Sequence, residues 1–285
     1  MSASTSSLKG STLILPIVSI GNIPQLTVDL LTYNLPDVRL VGRLDSTFLY
    51  PLASPSDYVE GDSDHSVNPV TTTTALEVYY CERYNLTLLQ QRSPILPGCT
   101  RRFFTELIKP FIELFEFKRL VILQSNDQGL KEDRYSNNRL QIWTNDLAKN
   151  LELSLSLEDK TQLATVNECS EISPVGEFLL KKLDEAEVSK TTTSDLFLPL
   201  ESGIATGLRE LRIEQRRLYY EPAENIVLSI FAYEGDNSAD AETLYRTVIK
   251  LLNVEEKGKV VTPKSWSGVY GQRVAPVGME FGMYS

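Results

Sequence analysis

Residues 12–31 read TLILPIVSIGNIPQLTVDLL. The run over residues 12–20 is almost continuously apolar, Gly21 and Asn22 interrupt it, and Pro24 opens an amphipathic run that reaches Leu31. An apolar run that ends at a glycine turn predicts a buried strand, and proline near the start of the next run is typical of the first turn of a helix. This stretch therefore predicts a strand, a tight turn and a helix, the repeating unit of an α/β fold.

The same alternation continues along the rest of the chain. Strands are predicted at residues 38–44, 75–81, 86–91, 119–124, 140–144 and 226–233, the second and third of them forming a hairpin. Helices are predicted at residues 101–115, 203–216 and 239–252. Pro110 is expected to kink the first helix or to mark a joint in it, and Ser238 is expected to cap the last. Apolar strands separated by helices predict an α/β fold with a mostly parallel sheet that is covered on both faces.

The 285 residues predict one domain with insertions. Residues 1–11 are predicted to be disordered, residues 12–265 to form the α/β domain, and residues 266–285, which are rich in glycine, to form a flexible tail. Two insertions interrupt the domain. Residues 54–74 are acidic with four consecutive threonines and predict a mobile loop, and residues 145–197 are charged and weakly patterned.

Charge and composition exclude several classes of function. A net charge of −10 disfavours binding to nucleic acid, which requires concentrated lysine and arginine. No apolar run approaches the length of a membrane span and no secretory signal is visible, which predicts no membrane association and a cytoplasmic protein, with the nucleus as a further compartment. Three cysteines and one histidine lack metal-ligand spacing, so neither a metal nor a cofactor is expected.

No catalytic residue stands out. The turn at Gly21 lacks the further glycines of a dinucleotide site and the lysine of a phosphate loop. Glu234, Gly235, Asp236 and Asn237 follow a predicted buried strand and resemble a carboxylate site, but capping of the next helix explains most of them. The sequence contains no Gly-x-Ser-x-Gly elbow. A paired-carboxylate enzyme and a phosphate site at the Gly21 turn nevertheless stay open as alternatives.

The end of the chain predicts a docking device. Met283, Tyr284 and Ser285 offer a small hydrophobe, a phenol ring and a carboxylate that a partner's lysine or backbone N–H groups can bind. A second aromatic group precedes them, in a segment that packs either on the body or on a partner and contains Trp266, Gly268, Tyr270 and Gly271.

Four segments together resemble the proteasome assembly chaperone family, fungal type. They are LPIVSIGNIPQL at residues 15–26, EGDNSADA at residues 234–241, SWSGVYG at residues 265–271 and the terminal MYS. The resemblance reaches both ends of the chain, whereas residues 54–74 and 145–197 do not contribute to it. Within these segments, it implies structural or interface roles for Gly21, Asn22, Pro24, Glu234, Gly235, Asp236, Asn237, Trp266, Gly268, Tyr270 and Gly271.

The resemblance implies a non-enzymatic chaperone. Its members pair with a second, related assembly chaperone, bind the outer face of the proteasome α-ring, promote α-ring assembly and block premature binding of regulatory caps. The implied fold is a three-layer α/β/α sandwich like that of nucleoside phosphorylases. The family's terminal motif of a hydrophobic residue, a tyrosine and any residue falls on Met283, Tyr284 and Ser285, and is implied to enter a pocket between neighbouring α-subunits. A generic interaction domain with an unrelated partner and a phosphorylase-like enzyme are the alternatives.

Overall fold

The computed structural model describes residues 8–57, 72–130, 139–144, 161–163, 197–198, 224–255 and 258–266. The strands are β1 (Thr12–Pro16), β2 (Val38–Leu44), β3 (Ala53–Pro55), β4 (Thr72–Thr74), β5 (Leu76–Cys81), β6 (Leu86–Gln91), β7 (Arg119–Asp127), β8 (Leu140–Thr144), β9 (Thr161–Leu163), β10 (Phe197–Leu198) and β11 (Glu224–Ala232). The helices are α1 (Ile23–Asn34), α2 (residues 100–115) and α3 (Ser238–Leu251).

Nine of the strands in the described part of the chain form one sheet, in the order β10-β2-β5-β6-β1-β7-β11-β8-β9. The centre is parallel, because β1 pairs in parallel with both β6 and β7, and β7 pairs in parallel with β11. On one side of this centre, β5 runs antiparallel to β6 and β2 runs antiparallel to β5. On the other side, β8 runs antiparallel to β11. Strands β3 and β4 form a separate two-stranded ribbon.

Helices cover both faces of this sheet, which confirms the three-layer α/β/α prediction. On one face, Val28 of α1 and Leu244 of α3 pack in the same apolar cluster as Ile14 of β1. On the other face, Phe111 of α2 packs with Leu13 of β1. Neighbouring residues of β1 thus enter opposite clusters, as the two-residue period of a strand requires. The kinship with nucleoside phosphorylases stays a prediction.

Element boundaries differ from the predictions at identifiable places. Strand β1 ends at Pro16, and after a last backbone bond from the Ile17 N–H to the Leu123 carbonyl at 2.8 Å the chain leaves the sheet before the 3₁₀ turn Ile20–Asn22. Helix α2 contains a π-helical stretch, Phe103–Ile108, and Pro110 lies at the start of the α-helical turn that follows. Proline has no N–H for the helical ladder, so the joint predicted at this residue coincides with the change of helix type.

Three predictions need correction. Ser238 is the first residue of α3 and not its N-cap, because Asn237 occupies the cap position. Residues 8–11 belong to the folded domain, since Leu8 is fully buried and the Gly10 N–H donates to the Phe115 carbonyl at 3.0 Å. The ends of the predicted loop 54–74 pair as β3 and β4, and the β-branched threonines of β4 suit an extended ribbon.

Other predictions fall outside the described residues: the helix at 203–216, the mobility of residues 58–71, and most of the insertion at 145–197. Cys81 and Cys99 are free thiols. None of the helices in the described ranges has the length and apolar character that crossing a bilayer requires.

Candidate functional site

The turn between β1 and α1 carries the first of the family-motif residues. Gly21 has a φ of 63° and Asn22 a φ of 51°, both in the left-handed region, and Pro24 is buried in the first turn of α1. The Ser19 hydroxyl accepts a hydrogen bond from the Ser125 N–H at 3.0 Å, and the Ser125 hydroxyl donates to the Ile20 carbonyl at 2.6 Å. These bonds hold the turn against the end of β7.

The turn between β11 and α3 carries the second group of motif residues. Glu234, Gly235 and Asp236 are exposed. Asp236 accepts hydrogen bonds from both the N–H, at 3.0 Å, and the hydroxyl of Ser238, and these bonds hold the pKa of Asp236 below its usual value. Asn237 is buried and its amide donates to the Gly235 carbonyl at 2.9 Å. Asp236 lies one residue before the cap position Asn237, and its carboxylate satisfies the N–H of Ser238, the first residue of α3.

These two turns contact each other. A Cβ atom placed on Gly21 would lie 2.2 Å from Asn237 Nδ2, far inside van der Waals contact, so only glycine fits at this position. The two helices that follow the turns also pack together, and the Thr27 hydroxyl of α1 donates to the Ala241 carbonyl of α3 at 3.3 Å. Two motif segments that are distant in sequence therefore form one structural unit at the carboxyl edge of the parallel strands.

This edge is where open α/β sheets place their ligands. Here the Asn237 amide fills the space beside Gly21. The absence of a side chain at Gly21 therefore makes room for Asn237 of the same protein and not for a phosphate. Within the described residues, no group of three or more histidine, cysteine or acidic side chains is placed to hold a metal ion. The geometry of the turn thus favours packing over ligand binding.

Residues 258–266, here named the C-terminal strap, lead from α3 toward the tail. Asn34, at the end of α1, binds the strap through its amide: Asn34 Nδ2 donates to the Val261 carbonyl, and the Val261 N–H donates to Asn34 Oδ1, both at 2.8 Å. Asp57 accepts from the N–H of Ser265 at 3.1 Å and from its hydroxyl. Val260 and Trp266 pack against the apolar cluster beneath α1 and α3.

The strap and the turn after β11 enclose a groove of about 300 Å³. Its lining includes Asp236 of the turn, Glu242 of α3, Leu30 of α1 and Trp266 of the strap. The motif residue Trp266 is therefore partly buried against the chain's own body, close to the motif residue Asp236. The other motif residues of this segment, Gly268, Tyr270 and Gly271, and the terminal Met283, Tyr284 and Ser285 lie outside the described residues.

Sequence reasoning missed a cluster of buried charges beside α1. Arg92 forms an ion pair with Asp29 of α1 at 2.9 Å, and its guanidinium lies 4.0 Å from Glu77, which is fully buried. Glu77 also accepts hydrogen bonds from the Tyr79 hydroxyl at 2.9 Å and from the Thr73 hydroxyl at 2.7 Å. The charged Glu77 within the otherwise apolar β5 was the available signal, because a lone charge on a buried strand requires partners.

The cluster alters the acidity of its members. Burial raises the pKa of the Tyr79 phenol well above its usual value, and the negative charge of Glu77 raises it further. Burial alone would lower the pKa of Arg92, but the charge of Asp29 outweighs it and the pKa is raised. Arg92 therefore stays charged and ties α1 to β5 and β6. A cleft of about 340 Å³ is lined by Arg92 and Thr73 of this cluster and by the strap residue Lys264.

The sequence matches the model of the PAC2 family over residues 13–163. It is 28% identical to Proteasome assembly chaperone 2 from Saccharomyces cerevisiae over 277 residues, which cover 92% of this chain and 95% of the relative. It is also 28% identical to Proteasome assembly chaperone 2 from Danio rerio, with 95% of both chains covered.

Two solved structures share the fold. A Thermoplasma acidophilum protein of unknown function superposes with a TM-score of 0.54 at 11% identity, covering 90% of this chain and 83% of that one. Pyrococcus furiosus PbaA, an archaeal homolog of proteasome-assembly chaperone, superposes with a TM-score of 0.50 at 12% identity, covering 87% and 84%. At such low identities the likeness concerns the fold alone. The match of the family model to more than half of the sequence shows that this chain belongs to the PAC2 family.

Proposed function

We propose that this chain is a proteasome assembly chaperone and not an enzyme. The observation that carries the proposal is the match with relatives named Proteasome assembly chaperone 2, over 92% and 95% of the chain. A shared fold would not specify a partner, but a match over at least 92% of both chains includes segments outside the common sheet. The filled turn between Gly21 and Asn237 supports the non-enzymatic half of the proposal, because a ligand there would compete with the Asn237 amide.

The proposed partners are a second, related assembly chaperone and the α-subunits of the proteasome core particle. The heterodimer binds the outer face of the α-ring, promotes its assembly and blocks early binding of regulatory caps. It needs no cofactor, binds neither nucleic acid nor membrane, and acts in the cytoplasm, with the nucleus as a further compartment. The net charge of −10 supports protein surfaces with basic groups as targets over phosphate backbones.

The proposed attachment point is the C-terminal tail. Met283 fills an apolar part of a pocket between neighbouring α-subunits, Tyr284 packs its ring and donates a hydrogen bond, and Ser285 presents the terminal carboxylate to a lysine. Because each of the three groups makes a different kind of contact, their substitutions should differ in effect.

Magnitudes predict that the tail does not act alone. Burying most of the Tyr284 ring contributes about 1.5–3 kcal/mol, and a charge-assisted bond to the carboxylate contributes another ~1.5–3 kcal/mol. Ordering a glycine-rich residue costs about 1–2 kcal/mol, and four or five must be ordered. The ordering cost, about 4–10 kcal/mol in total, equals or exceeds the gain of about 3–6 kcal/mol. We therefore expect contacts from the folded body and from the second chaperone to make attachment multivalent and reversible.

The test is the affinity of purified core particle for the chain, measured alone and in complex with its partner chaperone. Tyr284→Ala should weaken binding by about tenfold or more, corresponding to at least 1.4 kcal/mol. Tyr233→Ala is the matched control, since Tyr233 is 67% exposed on the folded body and lies outside the tail. A chain ending at Phe281 should behave like Tyr284→Ala.

The outcomes separate the candidate functions. Unchanged binding by Tyr284→Ala and by the shortened chain would contradict tail docking and place the attachment on the folded body. No binding to the core particle by any version would contradict the chaperone function and favour an interaction domain with an unrelated partner. Stabilisation of the purified chain by phosphate or a nucleoside would support the phosphorylase-like alternative.

A further inference from the structure

The C-terminal strap, residues 258–266, is fixed to the body by side chains from two separate places. Asn34 of α1 satisfies both backbone groups of Val261, donating from Nδ2 and accepting at Oδ1, each at 2.8 Å. The same Nδ2 also donates to the Leu30 carbonyl at 2.9 Å, which fixes the Asn34 side chain on its own helix. One amide therefore holds the strap in a single register against α1.

Asp57 makes the second attachment, just beyond the ribbon of β3 and β4. Its carboxylate accepts from both the N–H, at 3.1 Å, and the hydroxyl of Ser265. The strap also turns here, because the Trp266 N–H donates to the Pro263 carbonyl at 3.1 Å, and Pro263 is buried. Two anchors therefore fix the strap, and the second lies one residue before Trp266.

Most of the strap itself is polar or exposed. Val261 is 41% exposed, and Thr262 and Ser265 are exposed as well. Apolar burial of Val260, Pro263 and Trp266 alone would leave the backbone free to slide over α1, since the hydrophobic effect has no direction. The Asn34 and Asp57 hydrogen bonds are directional, so they determine where the chain leaves the body after Trp266.

We propose that Asn34 and Asp57 are positioning residues for docking of the C-terminal tail on the α-ring. This inference rests on the tail docking proposed above. A tail that starts from a fixed point on the body searches a smaller volume than one that starts from a loose strap. Its effective concentration at the α-subunit pocket is then higher whenever the body is already in contact with the ring. Neither residue touches the ring in this account.

The test compares the affinity of purified proteasome core particle for four versions of the chain in complex with its partner chaperone. They are the full chain, the double variant Asn34→Ala/Asp57→Ala, the chain ending at Phe281, and the double variant in the chain ending at Phe281. The double variant frees both anchors and should weaken binding of the full chain about two- to threefold, because a longer free segment lowers the effective concentration of the tail. It should leave the affinity of the shortened chain unchanged, because no tail remains to be positioned.

Asn34→Ala and Asp57→Ala alone should each weaken binding of the full chain less than the double variant does, because the remaining anchor still holds the strap. Thr243→Ala is the control, since Thr243 is an exposed helical residue whose hydroxyl donates to the Ala239 carbonyl of its own helix. This substitution should change the affinity of neither the full nor the shortened chain for the core particle. Equal melting temperatures of the variants would show that the fold is intact.

The four-way comparison separates failure of the inference from failure of tail docking. If shortening weakens binding but the double variant Asn34→Ala/Asp57→Ala does not, the positioning role is wrong and docking stands. If the two substitutions weaken the full and shortened chains equally, the anchors act on the body and the positioning role is again wrong. If shortening changes nothing, the tail does not dock, and the positioning role is lost with it.

Discussion

The central sheet and the C-terminal strap are held in place by different forces. All nine residues of β11 are buried between two apolar clusters, and its neighbours β7 and β8 pair with it along most of their length. The strap instead depends on Asn34 and Asp57, together with partial burial of a few side chains. The stability of the sheet core falls when side-chain volume is removed, whereas the position of the strap changes when single hydrogen bonds are removed. The region that leads to the proposed docking tail can therefore be altered without unfolding the body.

The largest expected effect lies in the core. Phe111 of α2 is fully buried, with its ring centroid 5.3 Å from that of Phe115 and 5.2 Å from that of Phe117. Phe111→Ala should lower the free energy of unfolding by about 3–5 kcal/mol, because the cavity cannot collapse fully. Chemical denaturation measures this. Tyr50→Ala, at a tyrosine that is 45% exposed, should change it by about 0.5 kcal/mol or less. Similar losses at both sites would contradict the assignment of the core.

The turn at Gly21 should give an intermediate effect. Gly21→Ala makes the new methyl group overlap with the Asn237 amide and forces alanine to a φ of 63°. We expect it to lower the free energy of unfolding by about 2–3 kcal/mol. Gly98→Ala separates the two causes, since Gly98 has a φ of 76° but nothing within 4 Å of its Cβ position. It should lose only the conformational part, about 1–2 kcal/mol. Asn237→Ala should partly restore the stability of Gly21→Ala, and equal losses at Gly21 and Gly98 would refute the contact.

The smallest expected effect on stability lies in the strap. Asn34→Ala should lower the free energy of unfolding by about 0.5–1.5 kcal/mol, the net value of a typical hydrogen bond or two near the surface. Amide exchange gives the sharper measurement. The Val261 N–H, which donates to Asn34, should exchange faster in this variant, while the amides of β7 should keep their protection. In both the original chain and the variant, the amides of β7 should exchange more slowly than that of Val261. An unchanged exchange rate at Val261 would contradict the role of Asn34 as an anchor of the strap.

Much of the sheet could be predicted from apolar runs. Strands β2, β6 and β8 begin and end at the predicted residues, because each run is bounded by turn-forming or polar neighbours. The end of β1 was missed, since Ile17 is apolar and buried although it lies beyond the strand. Residues that are buried for tertiary reasons look the same as strand residues in a single sequence.

The site was only partly predictable for a related reason. The motif segments around Gly21 and Asn237 were found, but their mutual contact was not, because no periodicity links two distant turns. The same holds for Asn34, which is an ordinary polar residue at a helix end until Val261 is placed beside it. The buried ion pair of Asp29 and Arg92 was missed because helix α1 reads as amphipathic without it.

The central claim is that this chain attaches to the proteasome α-ring. The most direct test is to recover a tagged full-length chain from cells during core-particle assembly and identify the proteins bound to it, with the chain ending at Phe281 alongside. We predict that the full-length chain recovers proteasome α-subunits together with a second assembly chaperone, and that the shortened chain recovers fewer α-subunits but an equal amount of that chaperone. Recovery of no α-subunits by the full-length chain would contradict the account.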